Sequence, residues 1–543
     1  MTCYQSDPGQ LEQLFRRNLL SRRQFITALA ALGVTASGIE GLFGPTLTVQ
    51  AEGTLRSVAP HDRYLVVIVM DGFRADCATL APMHHLHALM GRGMTYDTAW
   101  VGHLESETPT GHATIATGVY PRKHGVIGFG WRDVATGVFT FMPTDLRQIR
   151  SGDLTQTIVK GRIPTIPDLI RRRRQSDLTV SLSGEKYFAS ASMGAGANYV
   201  PYGKEGTKGA FRPVSIGPTA PPPGSHYSSV RGESDFSSQD LFSAEFAVQL
   251  ARTLRPRALL VNLPDVDIAG HYFGGMCAPQ DMTPIIKGAD FAIGRIVAEY
   301  RRRGLLERTI FVVTADHGMA ANRHIIPIHS MYRTAAAHAS GGTLDEEFRV
   351  SMGSVWLRQP TDDRSVASAL VAQHFAGVES ALYKVASGPG WVFAPDPSTS
   401  ARLGLELTQA YLNLADTEAC PAGPEVILPY GEDTMGLTVK GSTGWGTHGG
   451  FSWGVQHIPL AIAGPGVSHG LSHVPAKLVD IAPTTERLLG LPIPAGVDGV
   501  VLADAVQDAT VVERSAQKVA GASRQADVRA LRGHSLAQST RGE

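Results

Sequence analysis

One uninterrupted apolar run, 64–70 (Tyr-Leu-Val-Val-Ile-Val-Met), predicts a strand buried on both faces. Four further apolar-rich segments, at 178–182, 258–263, 309–314 and 459–463, also read as strands. Segments 165–174 and 287–303 carry apolar residues at the spacing of amphipathic helices. Strands alternating with helices predict an α/β fold, a mostly parallel central sheet flanked by helices.

Polar residues follow several of these runs directly. Asp71 follows the first, Asp265 and Asp267 the third, and Asp316 and His317 the fourth. Open α/β sheets bind ligands beyond the carboxyl ends of their strands. Three distant segments are therefore expected to deliver acidic residues to one edge. The stretches near 131–160, 190–245 and 320–440 break the rhythm and are rich in Gly, Pro and Ser. They read as cap insertions on a core domain spanning 52–505, with a small strand expected within 346–357. A polar tail, helical or disordered, occupies 506–543.

Composition narrows the field. The 543 residues are 43% hydrophobic and 18% charged, as in a globular chain. Lys+Arg and Asp+Glu are both 49, so the basic excess of a nucleic-acid-binding surface is missing. The four cysteines, Cys3, Cys77, Cys277 and Cys420, form no CxxC pair. A disulfide scaffold and a cysteine zinc site are both disfavoured.

The first 51 residues read as an address. Ser21-Arg22-Arg23-Gln24-Phe25 precedes a short apolar run at 28–34, and Thr48-Val49-Gln50-Ala51 offers a small-residue exit. These are the parts of a signal peptide, here of the twin-arginine type. A membrane anchor is the alternative, but the run is short and is followed by Gly38 and Glu40. The expectation is export to the periplasm or beyond, with no membrane span after signal removal.

The polar residues after the strands form a candidate metal constellation. Asp267 and His271 are four apart, Asp316 and His317 adjacent, His448 lies in a Gly-rich loop, and Asp71 adds a carboxylate. Carboxylate and imidazole are the ligands zinc takes when cysteine is absent. Three Asp and three His suit two divalent ions with positions left open for substrate. Each piece alone also fits a surface pair or a turn; their common placement favours the metal reading. Thr108, before Pro109, reads as a helix cap, and a hydroxyl there is also placed for an alkoxide.

These residues resemble the alkaline phosphatase superfamily, most closely its type I phosphodiesterase/nucleotide pyrophosphatase group and related threonine-nucleophile phosphatases. The match rests on Met70-Asp71-Gly72, the run from Glu107-Thr108 to Gly118, Tyr120-Pro121, His124-Gly125, Asp267 to His271, Thr314 to Met319, Gly446 to Gly449, and the closing segments 478–484 and 488–492. The resemblance implies an alkaline-phosphatase-like core and two metal ions, zinc first. Asp267, His271 and His448 would hold one, and Asp71, Asp316 and His317 the other, with Thr108 as its further ligand. It further implies Thr108 as the nucleophile that forms a phosphothreonine.

Two positions depart from the family. Phe129 stands where relatives carry an Asn, and Phe188 where monoesterases carry an Arg two residues after Lys186. Phe129 and Lys186 are the candidate substrate contacts. Loss of two polar handles tilts the expectation toward a phosphodiesterase acting on a small phosphate ester, with nucleotides in range. An alkaline phosphomonoesterase is the alternative. A non-catalytic exported metal binder is the third reading, and it sits poorly with intact Thr108 and six ligands.

Overall fold

Four of the apolar segments form the middle of an eight-stranded sheet, and 178–182 lies at its edge. The computed structural model describes residues 58–543, apart from 142–162, 206–210, 216–237, 276–277, 340–348, 352, 358–362, 376 and 437–444 and the last four residues. The proposed signal peptide and the later part of the 131–160 stretch lie outside the described residues. The strands are β1 (Tyr64–Met70), β2 (Gly93–Trp100), β3 (Thr179–Leu182), β4 (Ala258–Leu263), β5 (Thr309–Thr314), β6 (His457–Ala463), β7 (Gly470–Ser472) and β8 (Ala476–Lys477). Their order is β7-β2-β6-β5-β1-β4-β3, with β8 also beside β2. In β1, Leu65 through Met70 are fully buried, because β4 and β5 pair with it on both edges.

All pairings are parallel except those of β6, which runs against both β5 and β2. The sheet is therefore mostly parallel with one reversed strand, as an α/β core allows. Strand β2 is polar at Thr95, Asp97 and Thr98, and no continuous apolar run marks it in the sequence.

The flanking helices used below are α1 (Thr108–Thr117), α2 (Ile166–Arg173), α3 (Tyr187–Met193), α4 (Ser238–Thr253), α5 (Asp265–Phe273), α6 (Pro279–Arg302), α7 (Leu405–Ala415), α8 (Ile481–Leu489) and α9 (Val511–Ser539). Helix α2 starts with a capping box in which Thr165 and Asp168 bond each other's backbone N–H. The 190–245 stretch ends in α4, whose Phe242 and Phe246 belong to the main core. The 320–440 stretch holds a five-stranded sheet of its own, in the order Arg349–Ser351, Ser354–Trp356, Val426–Ile427, Leu382–Ser387 and Gly390–Pro395. A separate core, including Tyr332, Val355, Leu370 and Val426, lies against it. A third cluster joins Trp100 at the end of β2 to Leu382 of that sheet and to Val528 and Leu531 of α9.

The polar tail is thus largely the helix α9, and side-chain bonds tie it down. Arg524 forks onto Asp480 at 2.6 and 2.9 Å, and Asn413 of α7 donates to Asp527 at 2.9 Å. Among the described residues, no helix is long and apolar enough to cross a membrane.

One buried acid sets a pH dependence for the fold. Glu486 on α8 is buried, and neither carboxylate oxygen has a partner. Burial pushes its pKa from 4.5 up to about 8. The folded protein then keeps a proton that the unfolded chain sheds above its own pKa. Stability from this group is complete below pH 4.5 and falls until the pH passes about 8. Glu486→Gln should remove that slope, worth at most about 1.4 kcal/mol per pH unit. Denaturant midpoints of both proteins across this range test it, and parallel curves would refute it.

Candidate active site

The carboxyl ends of β1, β4 and β5 carry Asp71, Asp267 and Asp316 to one place. Gly72 makes the approach possible. Its φ is +68°, and a Cβ there would lie 2.8 Å from Asp267 Cα. Gly111, in α1, likewise admits the Asp316 backbone, 2.7 Å from where its Cβ would be.

Thr108 is the first residue of α1, and Glu107, in an extended conformation, is its cap. Thr108 is therefore not the capping residue that Pro109 suggested. Its hydroxyl is free to turn inward, 3.3 Å from Asp71 Oδ1 and 3.3 Å from His317 Nε2. Helix α5 puts Asp267 and His271 one turn apart, with His271 Nε2 3.5 Å from Asp267 Oδ2. His448 Nε2 lies 3.4 Å from Asp267 Oδ1, and its ring stacks on that of His317 with centroids 3.7 Å apart.

His448 reaches the site by a different route from the rest. It precedes β6 rather than following it. Because β6 is reversed, the start of that strand faces the edge where its neighbours end.

The donor set fits divalent metal. Each of the three histidines has Nδ1 against a backbone carbonyl: His271 to Gly446 at 2.9 Å, His317 to Gly318 at 2.9 Å and His448 to Ser106 at 3.2 Å. That bond holds the proton on Nδ1 and leaves the Nε2 lone pair facing the carboxylates. Asp267 Oδ1 and Asp316 Oδ2 are buried with no hydrogen-bond partner. Donor atoms within 4.8 Å of one another form three groups: Asp267-His271-His448, Asp71-Asp267-His317 and Asp71-His112-Asp316. Asp267 and Asp71 are each shared between groups, so the donors form one continuous cluster.

Electrostatics reflects the crowding. Burial, followed by repulsion from Asp316, pushes Asp71 up to about 6 against the pull of Lys186. Burial would raise Asp267 too, but Lys186, His271 and His448 hold it well below the usual carboxylate range. His317 and His112 hold Asp316 down to about 2 despite burial. Burial keeps His448 neutral, well below the usual imidazole value.

Lys186, just before α3, lies inside the cluster. Its Nζ is 2.7 Å from Asp71, 2.5 Å from Asp267 and 3.4 Å from Thr108 Oγ1. Phe129 and Phe188 meet edge to face with centroids 5.0 Å apart, and both pack on the apolar cluster beside α1. Asp265 stands apart: it and Asp240 exchange backbone N–H bonds at 2.8 and 3.0 Å.

Sequence reasoning missed Asn262 and His112. Asn262 Nδ2 donates to Asp71 Oδ2 at 2.8 Å and lies 3.1 Å from His112 Nε2, while Ser183 Oγ donates to its Oδ1 at 2.7 Å. His112 Nδ1 lies 2.8 Å from the Thr108 carbonyl and 3.4 Å from Asp316 Oδ2. One signal was readable: a lone Asn within the buried run 258–263.

A mostly parallel sheet with this Asp/His cluster and a buried threonine at its carboxyl edge defines the chain as an alkaline phosphatase superfamily fold. A model of the type I phosphodiesterase / nucleotide pyrophosphatase family matches residues 65–390, and the chain belongs to that family. It is 25% identical over 285 residues to an uncharacterised pyrophosphatase/phosphodiesterase of Schizosaccharomyces pombe, covering 50% of this chain and 49% of that protein. The chain thus spans about half the length of that curated relative. Among solved structures, the wild-type alkaline phosphatase PafA superposes with a TM-score of 0.61 at 16% identity, over 82% of this chain and 99% of that one. The inactive murine ectonucleotide pyrophosphatase / phosphodiesterase 5 in complex with AMP gives 0.55 at 15%, over 82% and 99%. At these identities the superpositions speak for the fold alone.

Asn262 bonds Asp71 and lies against His112, supporting the donor group from behind. Asn262→Leu should weaken divalent-metal binding about 10- to 100-fold, as loss of such support does at other metal sites. Competition with a chromogenic chelator measures this, and unchanged affinity would remove Asn262 from the supporting role.

Proposed function

We propose that this protein is an exported, metal-dependent phosphoric ester hydrolase of the phosphodiesterase/nucleotide pyrophosphatase type, with Thr108 as nucleophile. One observation carries the reading: the Thr108 hydroxyl sits at the start of a buried helix, 3.3 Å from both Asp71 and His317.

Asp267, His271 and His448 would hold one zinc ion, and Asp71, Asp316 and His317 the second, with Thr108 beside it. Bound zinc supplies the Lewis acidity that makes the threonine hydroxyl acidic and offsets charge on the leaving oxygen. Thr108 Oγ1 attacks phosphorus, the bond to the leaving oxygen breaks, and a phosphothreonine forms. Water then cleaves the phosphothreonine and restores the hydroxyl. The N-terminus of α1 favours the anionic oxygen at that point. Lys186, 3.4 Å from Oγ1, is placed to contact a phosphoryl oxygen of the substrate.

Phe129 and Phe188 support the diester reading. They offer ring surface to an ester group or a nucleobase beside the nucleophile. AMP bound to the murine relative agrees with a nucleotide substrate. The specific observation favouring a monoesterase is Lys186, since an ammonium at the nucleophile suits a dianion.

The mature, zinc-loaded protein should turn over bis-p-nitrophenyl phosphate faster than p-nitrophenyl phosphate. Thr108→Ala should lower both rates by at least about 1,000-fold, as loss of a covalent nucleophile does. A monoester preference would overturn the specificity, and an active Thr108→Ala enzyme would overturn the nucleophile. For export, replacing Arg22 and Arg23 together by Lys should leave the precursor in the cytoplasmic fraction. Undiminished export of that variant would refute the twin-arginine route.

A further inference from the structure

His317 owes its direction to the peptide that follows it. Its Nδ1 lies 2.9 Å from the Gly318 carbonyl, so the plane of that carbonyl decides where Nε2 points. The strap 317–319 is held from two sides. Gly318 N donates at 2.7 Å to the carbonyl of Val455, on the short helix Trp453–Gln456. One residue further on, the Met319 carbonyl accepts from Arg74 Nη1 at 3.2 Å. The peptide between Gly318 and Met319 is therefore pinned at both ends.

Arg74 also forms the floor of the strap. A Cβ on Gly318 would lie 2.9 Å from Arg74 Cγ and 2.2 Å from the Gly454 carbonyl oxygen. Gly318 thus sits clamped between the arginine stem and the backbone of the short helix. That helix is itself anchored, since Gly454 N donates to Glu432 Oε1 at 3.1 Å and Ser535 of α9 donates to Glu432 Oε2 at 2.6 Å.

The guanidinium is fixed in turn. Its Nε and Nη2 fork onto Asp76 at 2.9 and 2.8 Å, which sets its plane and aims Nη1 at Met319. Among the described residues, its hydrogen bonds go to Asp76 and Met319 and to none of the metal donors. The Asp76 fork alone would brace the loop after β1. The Met319 bond and the stem against Gly318 are what carry that brace to His317.

We propose that Arg74 is a positioning residue, which fixes the Gly318–Met319 peptide and through it the direction of His317 Nε2 toward the second metal. The inference rests on the metal reading of Asp71, Asp316 and His317 given above. Without the Arg74 donor the peptide is free to turn, and the His317 lone pair moves with the Gly318 carbonyl. Asp267, His271 and His448 share no hydrogen bond with Arg74, so the metal they would hold is spared.

The test titrates the full mature chain, loaded with zinc, against a chromogenic chelator that resolves the two ions. Arg74→Met keeps the stem and removes the donor. It should weaken one ion about 10-fold and leave the other at wild-type affinity. The weakened ion should be the one that His317→Ala releases. Arg74→Lys, which keeps both the stem and a cationic donor, should recover part of the loss. Should Arg74→Met fail to fold, Asp76→Ala takes its place: it opens the fork at a position 43% exposed and should weaken the same ion by a smaller factor. Unchanged affinity for both ions in the folded variant overturns the proposal, and so does equal weakening of both, the mark of a merely loosened fold. A wild-type chain that binds fewer than two ions overturns the metal reading itself, and this inference with it.

Discussion

Three buried carboxylates, Asp71, Asp267 and Asp316, point at one another across the carboxyl edge of the sheet. In a low-dielectric interior such a cluster is unstable unless cations and donors surround it. Much of the surrounding structure answers that requirement. Lys186 bridges Asp71 and Asp267. The Gly72 and His317 backbone N–H groups donate to Asp316 Oδ1 at 3.2 and 3.0 Å. Asn262 donates to the far oxygen of Asp71. The atoms still unsatisfied after this, Asp267 Oδ1 and Asp316 Oδ2, face imidazoles with exposed lone pairs. This is a donor set that divalent metal fits.

The reversed strand β6 serves the same cluster. A parallel strand delivers its following loop to the carboxyl edge, and a reversed one delivers its preceding loop. His448 arrives that way, and the carbonyl of Ser106, two residues before Thr108, lies against its Nδ1. A backbone bridge between Ser106 and Gly449 locks the two loops together. Thr108 and His448 are therefore positioned against each other as well as against the sheet.

The insert and α9 share a hydrophobic cluster with Trp100 and Leu104, ahead of Thr108. The third hydrophobic cluster runs from β2 through the insert sheet into α9. Glu379 of the insert receives Tyr411, His534 and Gln538, and Glu432 receives Ser535. All of these contacts except that of Tyr411, which is on α7, come from the polar tail, so α9 fixes the insert rather than trailing from the core.

The sequence by itself determined the core strands, because an unbroken apolar run is stable only between two neighbours. It also determined the residue types of the site, since Asp71, Asp267 and Asp316 directly follow such strands and a sheet of this kind exposes those positions together. Strand β2 and the five-stranded insert were not readable that way. Their residues are short or mixed, and they become strands through the partners they meet. The tertiary structure alone decided that β6 is reversed, that Thr108 lies inside α1 with its hydroxyl turned toward Asp71 and His317, and that Asn262 supports Asp71 while His112 lies against Asn262 and Asp316. Each depends on contacts between residues far apart in the chain, 150 positions in the case of Asn262 and His112. Local pattern carries no record of such distances; only burial beside a particular neighbour does.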